Sequence, residues 1–167
     1  MVEEVRMDGA GMGGRMNAKD RYGNSGTVLE ELRIPTQVKL AGLWAAVMFM
    51  YVYVDLFSFY KPGLIDDILV GKVFVFDITQ TWLVSSLLLI TMPALMVYLS
   101  LALPARANRY ANIGLGALYI FITLGMAAGE SWAYYIIGSI VEAVLFAQII
   151  WFAWKWPKVP VHGAAGN

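Results

Sequence analysis

Cysteine is absent from this 167-residue chain, and histidine occurs once, at His162. The first absence removes disulfides, thiol redox relays, thiolate metal sites, iron–sulfur clusters and a lipidated N-terminal cysteine. The second removes haem or chlorophyll held by imidazole in an apolar layer, because His162 lies in a polar C-terminal stretch. Nine methionines remain, but thioethers ordinarily fill apolar gaps, so no metal and no other cofactor is expected. Charge is scarce as well: 14% of residues are charged, against roughly 25% in soluble domains. Twelve basic side chains balance twelve acidic ones, which leaves no net field to attract nucleic acid. A phosphate loop, a cysteine nucleophile and a buried histidine are all missing, so no catalytic residue is assigned and the chain reads as a non-enzyme.

What the sequence does hold is hydrocarbon-like. Hydrophobic residues make up 59% of it and mean hydropathy is +0.63. They gather in four blocks, Leu40–Phe59, Trp82–Leu103, Tyr110–Ala128 and Trp132–Trp154. Each is close to the ~20 residues that cross a ~30 Å hydrocarbon core. The expected fold is an all-α integral membrane protein, an antiparallel bundle of four transmembrane helices at about 40–60, 78–103, 110–128 and 132–154. This domain, 37–156, would sit between two polar tails, 1–36 and 157–167. The first tail, Gly-rich and charged, lacks an apolar period and cannot bury enough surface to offset its chain entropy. It does not read as a secretory signal either.

Local signals place the ends. Pro62-Gly63 predicts a turn after span one, and Leu64–Val70 is long enough for a turn or two of interfacial helix. Asp77-Ile-Thr-Gln80 resembles a capping box opening span two. Pro93 should kink that span and Pro104 should stop it. Spans three and four are joined only by Gly129-Glu130-Ser131, which makes them antiparallel neighbours. Ten Lys and Arg residues fall on the side shared by both tails and the second loop, against Lys61 and Lys72 opposite. Positive-inside then predicts both termini in the cytoplasm, with Arg106 and Arg109 as topology and lipid-phosphate anchors. Tyr60, Trp132, Tyr134 and Tyr135 would mark the outer interface, and Trp151, Trp154 and Trp156 the inner one.

Counting at about 1.5 Å per residue puts Glu142 near the midplane, level with Tyr51, Thr91 and Tyr119. An acid there is costly unless neutral or partnered, and those hydroxyls are the partners within reach. Asp55 falls nearer the outer end, level with Ser85, Ser86 and Thr123, on one helix face with Trp44, Met48 and Tyr51. Asn112 falls level with Gln148, and both are expected to serve helix packing together with the small-xxx-small pair Gly125 and Gly129. Glu142 and Asp55 stand open between a structural and a functional role.

Met48-Phe-Met-Tyr-Val-Tyr-Val-Asp55, Pro62-Gly63, Ile78-Thr-Gln80, Asn108-Arg109 with Asn112, and Ile150-Trp-Phe-Ala-Trp-Lys-Trp156 together resemble a family of small four-span prokaryotic membrane proteins of unknown function. The resemblance covers about Val38–Trp156. It implies the fold and a multi-pass place in a prokaryotic cytoplasmic membrane, but no activity. Met92 stands where that family often has an acid before the mid-helix proline, so the resemblance carries no paired-carboxylate chemistry to Glu142.

Two functions follow as expectations. One is a non-enzymatic accessory or assembly subunit, or a self-associating membrane module, whose partners are the lipid bilayer and either another protein or further copies of itself. The alternative is an oligomeric proton-linked transporter or small-solute conduit with Glu142 as the titrating group, since four spans are few for an inverted-repeat transporter.

Overall fold

The computed structural model describes residues 33–158. The expected tails and His162 lie almost wholly outside that range. The described chain is helical: α1 (Thr36–Ser58), α2 (Leu64–Leu69), α3 (Gln80–Ala102), α4 (Ala105–Ala127) and α5 (Ala133–Trp154). One two-residue hairpin, β1 (Lys72–Val73) with β2 (Phe76–Asp77), interrupts them before α3. Four helices, α1, α3, α4 and α5, are long and apolar enough to cross a membrane. Their outward faces carry Phe49, Val52, Leu87, Leu88, Phe121 and Val144, all exposed, which is the inverse of a water-soluble bundle.

Bounds and glycine roles differ from expectation: α1 already starts at Thr36, and the other differences have local reasons. Span two opens with Thr79, whose hydroxyl accepts from the Trp82 N–H at 3.1 Å, rather than with Asp77, which is taken up by the hairpin. Span three starts five residues earlier than its apolar block. Pro104 has φ −63° and occupies the cap position, and a proline at a helix start loses no useful N–H. Arg106 and Arg109 therefore stand on the first turns of α4 rather than in a loop. Gly129 is no packing glycine: at φ +89° it makes the turn after α4, and Gly125 faces open space. Close approach falls to two other glycines. A Cβ on Gly138 would stand 2.6 Å from Val54 Cγ2, and one on Gly116 would stand 2.9 Å from Ile150 Cγ1.

Those glycines bring α1 and α4 onto two faces of α5, while α3 packs along α1. The centre is aromatic. Trp44 from α1 lies edge-on to Tyr119 of α4 (centroids 6.2 Å) and to Phe146 of α5 (5.8 Å), and Tyr119 stacks on Phe146 at 5.6 Å. Leu40, Val47, Met96 and Ile149 fill in around them, all buried.

The seam between α3 and α4 is closed differently. A proline lacks the N–H that would bond the carbonyl four residues earlier, so Pro93 frees Leu89 O and Pro104 frees Ser100 O. Side chains of α4 take both: the Tyr119 hydroxyl donates to Leu89 O, and Asn108 Nδ2 donates to Ser100 O at 2.6 Å. The two prolines are eleven residues apart, and so are Asn108 and Tyr119. Eleven residues is about three helical turns, so both donors fall on one face of α4 and both carbonyls on one face of α3.

Candidate functional site: polar side chains within the bundle

The polar residues form two groups separated by the aromatic centre. Near Pro104, Asn108 and Asn112 are fully buried and one turn apart on α4. Asn112 Oδ1 accepts from Trp44 Nε1 at 2.7 Å and from Ser100 Oγ at 3.5 Å, while its Nδ2 donates to Asn108 O and Oδ1 at 2.8 and 2.6 Å. Two asparagines, a serine, an indole and a proline-freed carbonyl thus satisfy one another in a fully buried layer. Beside them Arg109 lays its guanidinium 5.6 Å from the Trp154 ring centre, with its Nε buried and unbonded. Arg106 is exposed.

Toward Glu130 the second group gathers around Glu142, which is buried on α5. Thr123 Oγ1 donates to Glu142 Oε2 at 3.4 Å, a long bond. Tyr51 of α1 borders Thr123 and Glu142, and Tyr135 of α5 lies within electrostatic reach of the same acid. Asp55, one turn beyond Tyr51, is exposed and within electrostatic reach of Glu142. This group brings carboxyl and hydroxyl groups together, with no cation beside them among the described residues. Among the described residues no cluster of three or more metal-ligating side chains occurs.

The partners differ from those expected. Tyr119 does not bond Glu142, because its hydroxyl serves Leu89 O. Thr91 donates to its own helix at Leu87 O, 2.7 Å away. Thr123 takes their place. Equal counting from the α4–α5 turn misjudged the level by one helical turn, because α4 ends at Ala127 and residues 128–132 cross without helix. Gln148 does not meet Asn112: it lies exposed on the outer face of α5 and makes no hydrogen bond among the described residues. Sequence reasoning passed over Asn108 and Ser100 as a bonded pair, and Gly138 as a packing glycine. The equal spacing of Pro93–Pro104 and Asn108–Tyr119 was the available signal for the first two.

Outside the apolar layer, Lys61 Nζ bonds Glu130 Oε2 at 3.0 Å and Oε1 at 3.1 Å, tying the turn after α1 to the turn before α5. Trp132 and Phe74 rings flank the ammonium at 5.5 and 5.6 Å. Lys61 donating to Glu130 is the main reason that this carboxyl lies below its ordinary 4.5, with burial opposing and the Ser131 and Trp132 N–H groups assisting. Ser58 and Tyr134 hydroxyls, 3.0 Å apart, add a second tie between α1 and α5.

Comparison with known proteins decides the family. The chain belongs to a family of unknown function, DUF6326, whose model matches residues 30–162. No curated protein and no solved structure matches it. The DUF6326 match extends past the expected resemblance at both ends and, like it, brings no activity.

Proposed function

We propose that this DUF6326 protein is a non-enzymatic membrane module that works by associating with protein in the bilayer, as an accessory or assembly subunit or with itself. The observation that carries this reading is the filled axis of the bundle. Trp44, Tyr119 and Phe146 are in mutual ring contact between the two polar groups, so neither group continues into the other. A bundle closed in this way has its exposed faces left to act with. The ten-to-two basic asymmetry supports both termini in the cytoplasm, with Arg106, Arg109, Lys155 and Lys158 at the headgroup level of that side, where anionic lipids attract basic groups. A prokaryotic cytoplasmic membrane fits this arrangement.

The competing reading, a proton-linked conduit, draws on Glu142 with Thr123, Tyr51 and Asp55. It needs a path past the three packed rings, or a second copy that supplies one. Gentle extraction from native membranes followed by intact-complex mass measurement tests the proposal. An assembly heavier than one chain, with other protein or with further copies, is expected. A lone chain without associated protein at native abundance would overturn it.

A further inference from the structure

Gln148 is a polar side chain for which the described bundle supplies no partner. It lies seven residues before the end-capping Lys155 of α5, about 10 Å from that end of the helix at 1.5 Å per residue and one turn inside Trp151. On the outer face of a spanning helix an amide meets hydrocarbon, which offers no hydrogen bond. The surrounding residues form a pattern. Ile137, Val141, Val144, Gln148 and Trp151 follow one another at spacings of four, three, four and three. The four apolar members are between 39% and 61% exposed. Residues on one face of any helix share that spacing, and it also meets the 3.5-residue repeat that a left-handed helix pair requires. A single polar residue inside such a seam is the device that fixes register and partner number in coiled coils.

We infer that this α5 face is a homodimer interface, with two copies of the chain packing α5 against α5 in parallel and Gln148 bonding Gln148 of the second copy. The inference deepens the association reading above and rests on it. Two features select a second copy over an unrelated helix. A carboxamide carries both donors and an acceptor, so it is complementary to itself. A two-fold axis along the membrane normal sets identical residues at identical depth, which brings the two amides together without tilt or offset. The rest of the seam has no charge with which to select a different partner.

The chain has no cysteine, so single cysteines report contacts cleanly. The full chain carrying Val144→Cys, reconstituted in phosphatidylethanolamine–phosphatidylglycerol vesicles and mildly oxidised, should form a disulfide-linked dimer. Leu118→Cys, on the exposed face of α4, should not. Energy transfer between labelled full chains should show Gln148→Leu weakening dimerisation by about tenfold, the scale of one or two interhelical amide bonds in a membrane, with thermal stability unchanged. Gln148→Asn, which keeps the amide, should lose less. Equal dimerisation by Gln148→Leu, or cross-linking at residue 118 in preference to 144, would overturn the α5 interface while leaving self-association intact. A chain that stays monomeric in vesicles yet is recovered in a heavier native assembly would also overturn it, and the association reading would survive. A monomer in both measurements would remove both.

Discussion

At the Pro104 end of the bundle, Trp44, Ser100, Asn108 and Asn112 are bonded to one another at distances down to 2.6 Å. At the Glu130 end, the buried Glu142 holds one bond of 3.4 Å, and Asp55 beside it is open. Connection length accounts for the contrast. Leu103 and Pro104 alone join α3 to α4, so those helices leave their turn in fixed register and can place each amide against a partner. The other end is closed by 59–79, with its short helix and hairpin, and by 128–132. Helices joined so loosely are held there by side-chain ties, Lys61–Glu130 and Ser58–Tyr134. A two-residue connection and short bonds belong to one end, longer connections and a single long bond to the other.

The largest effect should come from breaking the tight end. Asn112→Leu leaves the Trp44 N–H and the Asn108 Oδ1 unpaired in a dry interior. A loss of about 3 kcal/mol is expected, the upper range for orphaning buried polar groups, read by unfolding in mixed micelles. Adding Trp44→Phe should recover part of it, because the orphaned donor is then gone. A loss below ~1 kcal/mol would mean that water reaches this end and the contrast is false.

Gly138→Ala tests the packing of α1 against α5. Its Cβ would meet Val54 Cγ2 at 2.6 Å, and a β-branched neighbour yields poorly. About 2 kcal/mol should be lost, within the usual cost of overpacking, and Val54→Ala should restore most of it. Failure of that rescue would show that the two helices are not in register as described.

A smaller effect is expected at Lys61–Glu130. The Glu130 carboxyl is lowered in the folded chain, so its contribution is complete above the ordinary carboxylate pKa. It drains as pH falls through the lowered value. Glu130→Gln should cost only about 0.5 kcal/mol at pH 7, as partly solvated pairs do, and should flatten the acid limb of a stability–pH curve. An unchanged acid limb would place the lowered carboxyl elsewhere.

How far the sequence announces this structure depends on what each feature obeys. The four spans are legible because hydrocarbon thickness sets a length that apolar blocks display directly. The Pro62-Gly63 turn and the Pro104 break are legible through backbone chemistry. The start of α4 is not, since Arg106 and Arg109 break an apolar run without breaking a helix. Partners are harder still. Tyr119 was expected at Glu142, but a proline-vacated carbonyl on α3 competes for the same hydroxyl, and only the register of α3 against α4 reveals it. Small residues mislead in the same way: Gly125 and Gly129 have packing-motif spacing, yet Gly116 and Gly138 face a neighbour. Gln148 is legible as polar, and its outward direction emerges only from the bundle.

Three packed rings close the axis between the two ends, and on the proposed reading the protein acts through its faces. Proton flux under an imposed pH gradient, measured with the full chain in sealed vesicles at a density that permits oligomers, tests it most directly. Flux equal to that of protein-free vesicles is expected, for the native chain and for Glu142→Gln alike. Flux above that background, abolished by Glu142→Gln in a variant that still folds and assembles, would contradict the account and make the Glu130 end the mouth of a proton path.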